Sequence, residues 1–204
     1  FCGSPLQQTF VDLGMSPLSN AYLRPEQLGQ MEPFYPLHVR VCEQCFLVQL
    51  ELFEVPEKIF SDYAYYSSFS ESWLHHARNY ADSMRERFRL DEKSLVIEVA
   101  SNDGYLLQYF QAAGIRVLGV EPAQNVAMAA EKKGIRTLTK FFGTRTAREL
   151  QADGQQANLI VGNNVLAHVP DLRDFVAGLK LVLKPDGIIT VEFPHLLRLM
   201  EGNQ

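Results

Sequence analysis

The stretch LVIEVASNDG, from Leu95 to Gly104, decides the fold. Its first half is a short apolar run interrupted by one acid, Glu98, and it reads as a strand buried on both faces. Its second half, Ala100-Ser101-Asn102-Asp103-Gly104, is small and polar and reads as a tight turn. Apolar residues at helical spacing resume at Tyr105. Strand, turn and helix in this order open a parallel α/β unit.

Toward the C-terminus the same alternation repeats. Strands are expected over 117–120, weakly over 137–139, and over 159–161 and 188–193. Helices are expected near 105–113, 125–133, 144–151 and 172–183, with Gly114, Gly134 and Gly187 closing helices or turns. Short apolar strands divided by helices of this length predict a doubly wound, mostly parallel sheet covered on both faces. Toward the N-terminus lies an aromatic and serine cluster, Tyr63 to Ser70. Ser68 with Glu71 reads as a capping box, so a helix is expected from about Phe69 to Phe88, with Trp73, Ala77, Tyr80, Ala81, Met84 and Phe88 on its apolar face.

In a doubly wound sheet, ligands lie at the carboxyl ends of the strands. There Ala100, Ser101 and Gly104 are small enough for a ligand to approach the backbone, while Asn102 and Asp103 tolerate unusual backbone angles and can cap the helix. The second strand ends in Gly119-Val120-Glu121-Pro122. An acid about 20 residues after the first turn suits the two hydroxyls of a ribose, because a carboxylate only accepts hydrogen bonds. A nicotinamide site needs G-x-G-x-x-G to seat a pyrophosphate on a helix N-terminus. Here the turn has a single glycine, and Asp103 stands where the phosphate would approach. A sulfonium ligand with an amino-acid tail has no phosphate, and Glu98 and Asp103 can face its positive groups. The fourth strand ends in Asn163-Asn164, good hydrogen-bonding residues and poor core ones, with His168 on the same rim. The competing reading of these residues is a set of turns and helix caps around a structural histidine.

Residues before about position 60 read differently, as short strands and turns rich in Pro, Leu and Gln. The pair Cys42-Glu-Gln-Cys45 sits between extended stretches 35–41 and 46–50, the form of a knuckle on a hairpin that aims two thiolates at one metal. Cys2 is a third thiol. A structural zinc takes four ligands, so the fourth is expected to be a cysteine just upstream of Phe1, or an internal residue such as His38, which shares a strand face with Cys42 if that stretch is a strand. Ordinary thiols and a redox pair are the alternatives, although a redox motif normally opens a helix. Zinc here would serve folding, since so small a segment has little core of its own.

Composition sets outer limits. About half of the 204 residues are apolar (47%) and a fifth charged (21%), as in soluble globular proteins. The net charge of −5, with both signs interspersed, excludes a field strong enough to mark a nucleic-acid or membrane partner. No apolar run reaches the roughly 18 residues that cross a bilayer, and no charged-then-apolar leader opens the chain, so a cytoplasmic location is expected. The chain opens at Phe1 rather than Met and closes at Gln204 just after an apolar segment, so an excised part of a longer protein is expected.

Taken in order, the Cys2-Gly3 start, Asp12-Leu13-Gly14 with Pro17-Leu18, Cys42 to Cys45, the block from Tyr63 to Trp73, EVASNDGYLL from Glu98, GVEPA from Gly119, GNNVLAHVPDL from Gly162 and EFPHL from Glu192 resemble one family. It is the zinc-containing sugar C-methyltransferases, which methylate C3 of nucleotide-linked 4-keto-deoxysugars. The resemblance runs across essentially the whole chain. It implies a class I methyltransferase Rossmann-like domain over 63–204 and a small β-rich zinc-binding domain over 1–62. It implies Cys2, Cys42 and Cys45 as three of four ligands to a structural zinc. It implies S-adenosylmethionine (SAM) held by Glu98, Ala100, Ser101, Asn102, Gly104, Glu121, Pro122, Asn163 and Asn164. Tyr65 and His168 match positions near the reacting nucleotide sugar. The implied chemistry removes the C3 proton acidified by the 4-keto group, and the resulting enolate attacks the methyl in line. The family's Tyr-His-Glu-His-type motif and C-terminal domain are not among these residues, so the base is expected outside them and the isolated chain is expected to be short of catalysis. A SAM-binding domain without turnover, and a methyltransferase for another keto acceptor, are the alternative functions. The oligomeric state is not encoded in any motif.

Overall fold

The computed structural model describes residues 1–203 and divides into two units, Phe1–Tyr65 and Tyr66–Gln204. In the first, strands β1 (Gln8–Ser16), β2 (Tyr35–Val41) and β3 (Val48–Leu50) form an antiparallel sheet in the order β1-β2-β3. β1 and β2 pair from Gln8↔Val41 to Ser16↔Tyr35, with irregularities at Thr9/Val11 and Asp12/Met15. A short helix, α1 (Pro56–Phe60), follows. Among the described residues of this unit, Cys42 alone is fully buried, at 1% exposure. The rest of its apolar side chains are half-buried or exposed, so hydrophobic burial supplies it with little.

The second unit opens with α2 (Glu71–Phe88) and then alternates: β4 (Leu95–Val99), α3 (Leu107–Ala112), β5 (Arg116–Val120), α4 (Gln124–Lys132), β6 (Thr137–Leu138), α5 (Thr144–Ala152), β7 (Ala157–Asn163), α6 (Leu172–Val182), β8 (Leu183–Glu192) and α7 (Leu196–Gly202). The five strands run in the order β6-β5-β4-β7-β8, and every neighbouring pair is parallel. All of β4 is buried, which is why its sequence is a nearly unbroken apolar run. Alternation sends its residues to two cores. Val96 packs with Ala77 and Ala81 of α2 and Leu107 and Phe110 of α3. Leu95, Ile97 and Val99 pack with Ala147 and Leu150 of α5 and Phe175, Leu179 and Val182 of α6. The strand order reverses direction between β4 and β7, the switch point at which such sheets bind ligands. Among the described residues, no helix is long and apolar enough to cross a membrane.

The elements follow the expected alternation, with local corrections. Ser68 does not cap α2: Ser67–Phe69 turns as a 3-10 helix, and Ser70 takes the cap, its hydroxyl accepting from the Trp73 N–H at 3.3 Å. Glu71 then stands at the first helical position, where it cannot complete a capping box. Helix α3 starts at Leu107 rather than 105, because Tyr105 and Leu106 still belong to the turn. Strand β8 starts at Leu183, earlier than 188, and Gly187 lies inside it. Gly187 is there for room, since a Cβ would lie 2.9 Å from the Ala157 carbonyl oxygen.

Candidate functional site

At the carboxyl end of β4 the backbone turns through Ala100 (φ 59), Asn102 (φ 49) and Gly104 (φ 76), all left-handed. Left-handed alanine is costly, and strain of this kind gathers at functional turns. Gly104 is doubly required: besides its φ, a Cβ there would lie 2.4 Å from Ile135 Cδ1. The turn is pinned to β5, with the Ala100 N–H donating to the Val120 carbonyl at 2.8 Å. One residue further, Glu121 receives the Asn102 N–H on Oε2 and the Ala123 N–H on Oε1, both at 2.9 Å. Pro122 beside it is half-buried. Glu121 is only 5% exposed, and burial raises its pKa against the lowering effect of those two N–H groups. Each of its oxygens keeps a further lone pair for a hydroxyl donor.

Glu98, in mid-β4, is fully buried. Burial raises its pKa well above the carboxylate range; the nearby Tyr105 hydroxyl lowers it, and the charges of Glu121 and Asp103 raise it further. The Tyr105 approach falls outside the geometry of a formed hydrogen bond. Both Glu98 oxygens, Ser101 Oγ and Asp103 Oδ1 are buried with no hydrogen-bond partner among the described residues. Such atoms are costly unless something donates to them. Three acids around a small-residue turn fit a ligand that brings hydroxyls, an ammonium and a sulfonium, and they repel a pyrophosphate.

The Asn163 amide donates to the Tyr105 hydroxyl at 3.3 Å, and Asn164, left-handed at φ 52, donates its N–H to the Glu192 carbonyl at 2.7 Å. The structure therefore brings Glu98, Ala100 to Gly104, Glu121 and Asn163 together at adjacent strand ends. His168 lies on the 3-10 turn Leu166–His168 after β7. It keeps an exposed edge, yet the chain packed around the ring lowers its pKa by desolvation. Tyr65 belongs to the first unit, half-exposed and edge-on to Tyr63 with ring centroids 6.4 Å apart. A separate cavity of about 490 Å³, lined by residues such as Phe141, Thr144, Arg145 and Asp174, includes none of these groups.

Several neighbours of this rim are marked in the sequence at most as members of an apolar stripe or a motif, not as site residues. Trp73 stacks on Tyr105 at 6.0 Å and on His76 at 5.0 Å, and His76 pairs with Glu192 at 2.9 Å. Lys133 pairs with Asp103 at 3.1 Å. A lysine at the C-cap of a helix ordinarily reads as a solvated complement to the helix dipole, and no spacing links it to an acid 30 residues away.

In the first unit, the hairpin between β2 and β3 carries Cys42 and Cys45. The Cys42 N–H donates to the Leu47 carbonyl at 3.1 Å, and the Phe46 N–H to the Cys42 carbonyl at 2.9 Å. The Sγ atoms of Cys2, Cys42 and Cys45 lie within 4.8 Å of one another, with Cys2 and Cys42 at 3.5 Å. Thiolates bound tetrahedrally to zinc stand about 3.8 Å apart, so three corners of such a site are present. Hydrogen bonds from Ser4, then Cys42 and Cys45, lower the Cys2 thiol to about 6, toward the thiolate that a metal needs. His38 is outside this cluster: its Nε2 meets Thr9 Oγ1 at 2.8 Å and its Nδ1 faces Arg40.

Comparison with known proteins agrees with both units. Residues 73–202 match the family model described as "Methyltransferase domain", and residues 1–60 match the one described as "Putative zinc binding domain". C-methyltransferase NovU of Streptomyces niveus is 35% identical over 203 residues, covering 100% of this chain and 48% of that protein. The chain thus spans about half the length of that curated relative. Among solved structures, an S-adenosylmethionine-dependent methyltransferase from Clostridium acetobutylicum superposes with a TM-score of 0.52 at 14% identity, over 63% of this chain and 54% of that one. DesVI of Streptomyces venezuelae superposes with a TM-score of 0.50 at 18% identity, over 63% and 54%. At these identities the two structures show the fold.

Proposed function

The chain belongs to the methyltransferase domain family, and from that premise we propose that it is the cofactor-binding portion of a C-methyltransferase acting at C3 of a nucleotide-linked 4-keto-deoxysugar. The observation that carries the cofactor reading is the buried acidic rim, Glu98, Asp103 and Glu121 beside a small-residue turn at strand carboxyl ends. Carbon as the acceptor atom rests on the likeness to a C-methyltransferase along the entire chain.

When bound, SAM supplies an electrophilic methyl group on a sulfonium. The residues of this chain bind and orient. Glu121 takes the ribose hydroxyls on its remaining lone pairs. The Glu98 oxygens and Asp103 Oδ1, buried without a hydrogen-bond donor, face the ammonium and the sulfonium. The backbone of Ala100 to Gly104 gives room to the amino-acid tail, and Pro122, Asn163 and Asn164 complete the rim. His168 acts on the acceptor side, and the family resemblance assigns Tyr65 the same role. The lowered pKa of His168 keeps its imidazole neutral near pH 7, able to accept a hydrogen bond or a proton. Holding nucleophile and methyl in line, and stabilising enolate charge, are the two contributions a protein makes to such a transfer. Residues 1–62 form the zinc-binding domain, with Cys2, Cys42 and Cys45 as ligands in a structural role, and 63–204 form the methyltransferase domain.

Calorimetry with S-adenosylhomocysteine, the demethylated product, tests the cofactor site. The chain should bind it, and Glu121→Ala should bind at least tenfold more weakly, as expected when hydrogen bonds to a buried charged group are lost. Absence of binding, or equal affinity in the variant, overturns the reading. For the acceptor, the full-length protein is incubated with SAM and a panel of nucleotide-linked keto sugars. A new carbon–methyl bond at C3 is expected, and methylation at oxygen would refute it.

A further inference from the structure

The rim just described is roofed. Ser101, Asn102, Asp103 and Glu121 are all buried, and the Ser67–Phe69 turn ahead of α2 is bonded to Asn102, whose own N–H is held by Glu121. The Ser67 N–H donates to Asn102 Oδ1 at 3.0 Å, and the Tyr66 hydroxyl accepts from the Asn125 amide at 3.3 Å. The ring of Phe69 lies edge-on to Tyr66 at 5.9 Å and is otherwise exposed, so packing holds this turn weakly. One side chain ties the roof to the floor. Lys133 Nζ donates to Ser68 Oγ at 2.8 Å, to the Asp103 carbonyl at 2.9 Å and to Asp103 Oδ2 at 3.1 Å.

We propose that residues 66–69 form a gate at the Asn102–Asp103 turn beside Glu121 and that Lys133 is its latch, a positioning residue that sets how fast the cofactor enters and leaves. The inference rests on the cofactor reading given above. A ligand that is to reach a carboxylate 5% exposed must first displace what covers it. Local openings of this kind draw on segments with few buried apolar contacts, and among residues 66–69 only Ser67 is buried. The ammonium of Lys133 is well suited to the task. Three donors reach three acceptors at once, and the buried Asp103 carboxylate holds the charge in place while the Ser68 hydroxyl is the end that lets go. When Ser68 releases, Lys133 stays paired with Asp103, so opening the gate exposes no unpaired buried charge.

Two variants cut different ends of the latch. Lys133→Met removes it, and Ser68→Ala removes its roof end while leaving the pair with Asp103. Stopped-flow binding of S-adenosylhomocysteine should show association and dissociation both faster by roughly tenfold in Lys133→Met, with Kd changed far less, and a smaller change of the same kind in Ser68→Ala. Hydrogen exchange at the Ser67 and Phe69 amides should quicken in both variants without ligand. Unchanged rate constants, or a weaker Kd produced by dissociation alone, overturn the gate and leave Lys133 as an ordinary contact. Should the unmodified chain fail to bind the probe, the cofactor reading fails and the gate falls with it; faster amide exchange would then show only that Lys133 and Ser68 hold the turn closed. If Lys133→Met does not fold, Ser68→Ala carries the same two readouts.

Discussion

The two units of this chain solve the problem of staying folded by opposite means. In residues 66–203, a five-stranded sheet buries apolar side chains on both faces, and its central strand is entirely withdrawn from water. In residues 1–65, three antiparallel strands enclose almost nothing, and the one fully buried residue is a cysteine beside two further thiols. One unit is held by many small contributions of dispersion and hydrophobic burial. In the other, three sulfurs converge at a single point, and a metal held there would supply the stability that burial does not. The lesson is that sheet content does not measure stability: both units have sheets, and only one has a core.

The sharpest way to test this contrast is to take the metal away. Zinc binding to small structural sites is worth on the order of 10 kcal/mol, more than a small sheet holds in reserve. Chelation, or Cys42→Ser, should erase the amide dispersion of β1 to β3 in NMR spectra while the signals of β4 to β8 persist. A first unit that stays folded after metal removal would break the comparison. A smaller and reciprocal effect is expected from Leu159→Ala, which empties a fully buried position in the second unit. A loss of about 2–5 kcal/mol is expected in the thermal transition of that unit, with metal content of the first unit unchanged by elemental analysis.

The smallest effect sharpens the contrast through pH. Glu98 has a pKa raised above its ordinary 4.5 by burial. The folded state therefore keeps a proton that the unfolded state has released, and the stability of the second unit falls as pH rises from about that ordinary value toward the raised one. Glu98→Gln should flatten this slope in denaturant titrations across pH 5 to 8. The first unit should respond in the opposite sense, since acid protonates thiolates and releases zinc. A Glu98→Gln variant with the original slope would assign the pH dependence elsewhere.

Much of the second unit is legible in its sequence, because burial on both faces demands apolar runs and helices demand a periodic stripe. β4 and α6 could be read from such patterns alone. The misreadings share a cause. Ser68 and Ser70 are equally good caps by type, and only the 3-10 turn before α2 chooses between them. Gly187 reads as the turn before a strand, and the close pass of β7 makes it part of one. At the site, Glu121 and the small-residue turn are announced by spacing along the chain. Lys133, Trp73 and Tyr105 are brought there by tertiary packing, and no local pattern records it.

The strand at the centre of the second unit's sheet is also its first to be made. On the ribosome, β4 emerges before every strand that will flank it, followed by β5 and β6 on one side, and only later by β7 and β8 on the other. Until residues 157–163 clear the exit tunnel, one edge of β4 stands unpaired, with side chains as apolar as any in the protein. A bare apolar edge is the template from which misassembly starts. Expression yield should therefore depend on how quickly translation passes from Val99 to Asn163, and slow codons within that window should cost more soluble protein than slow codons after it.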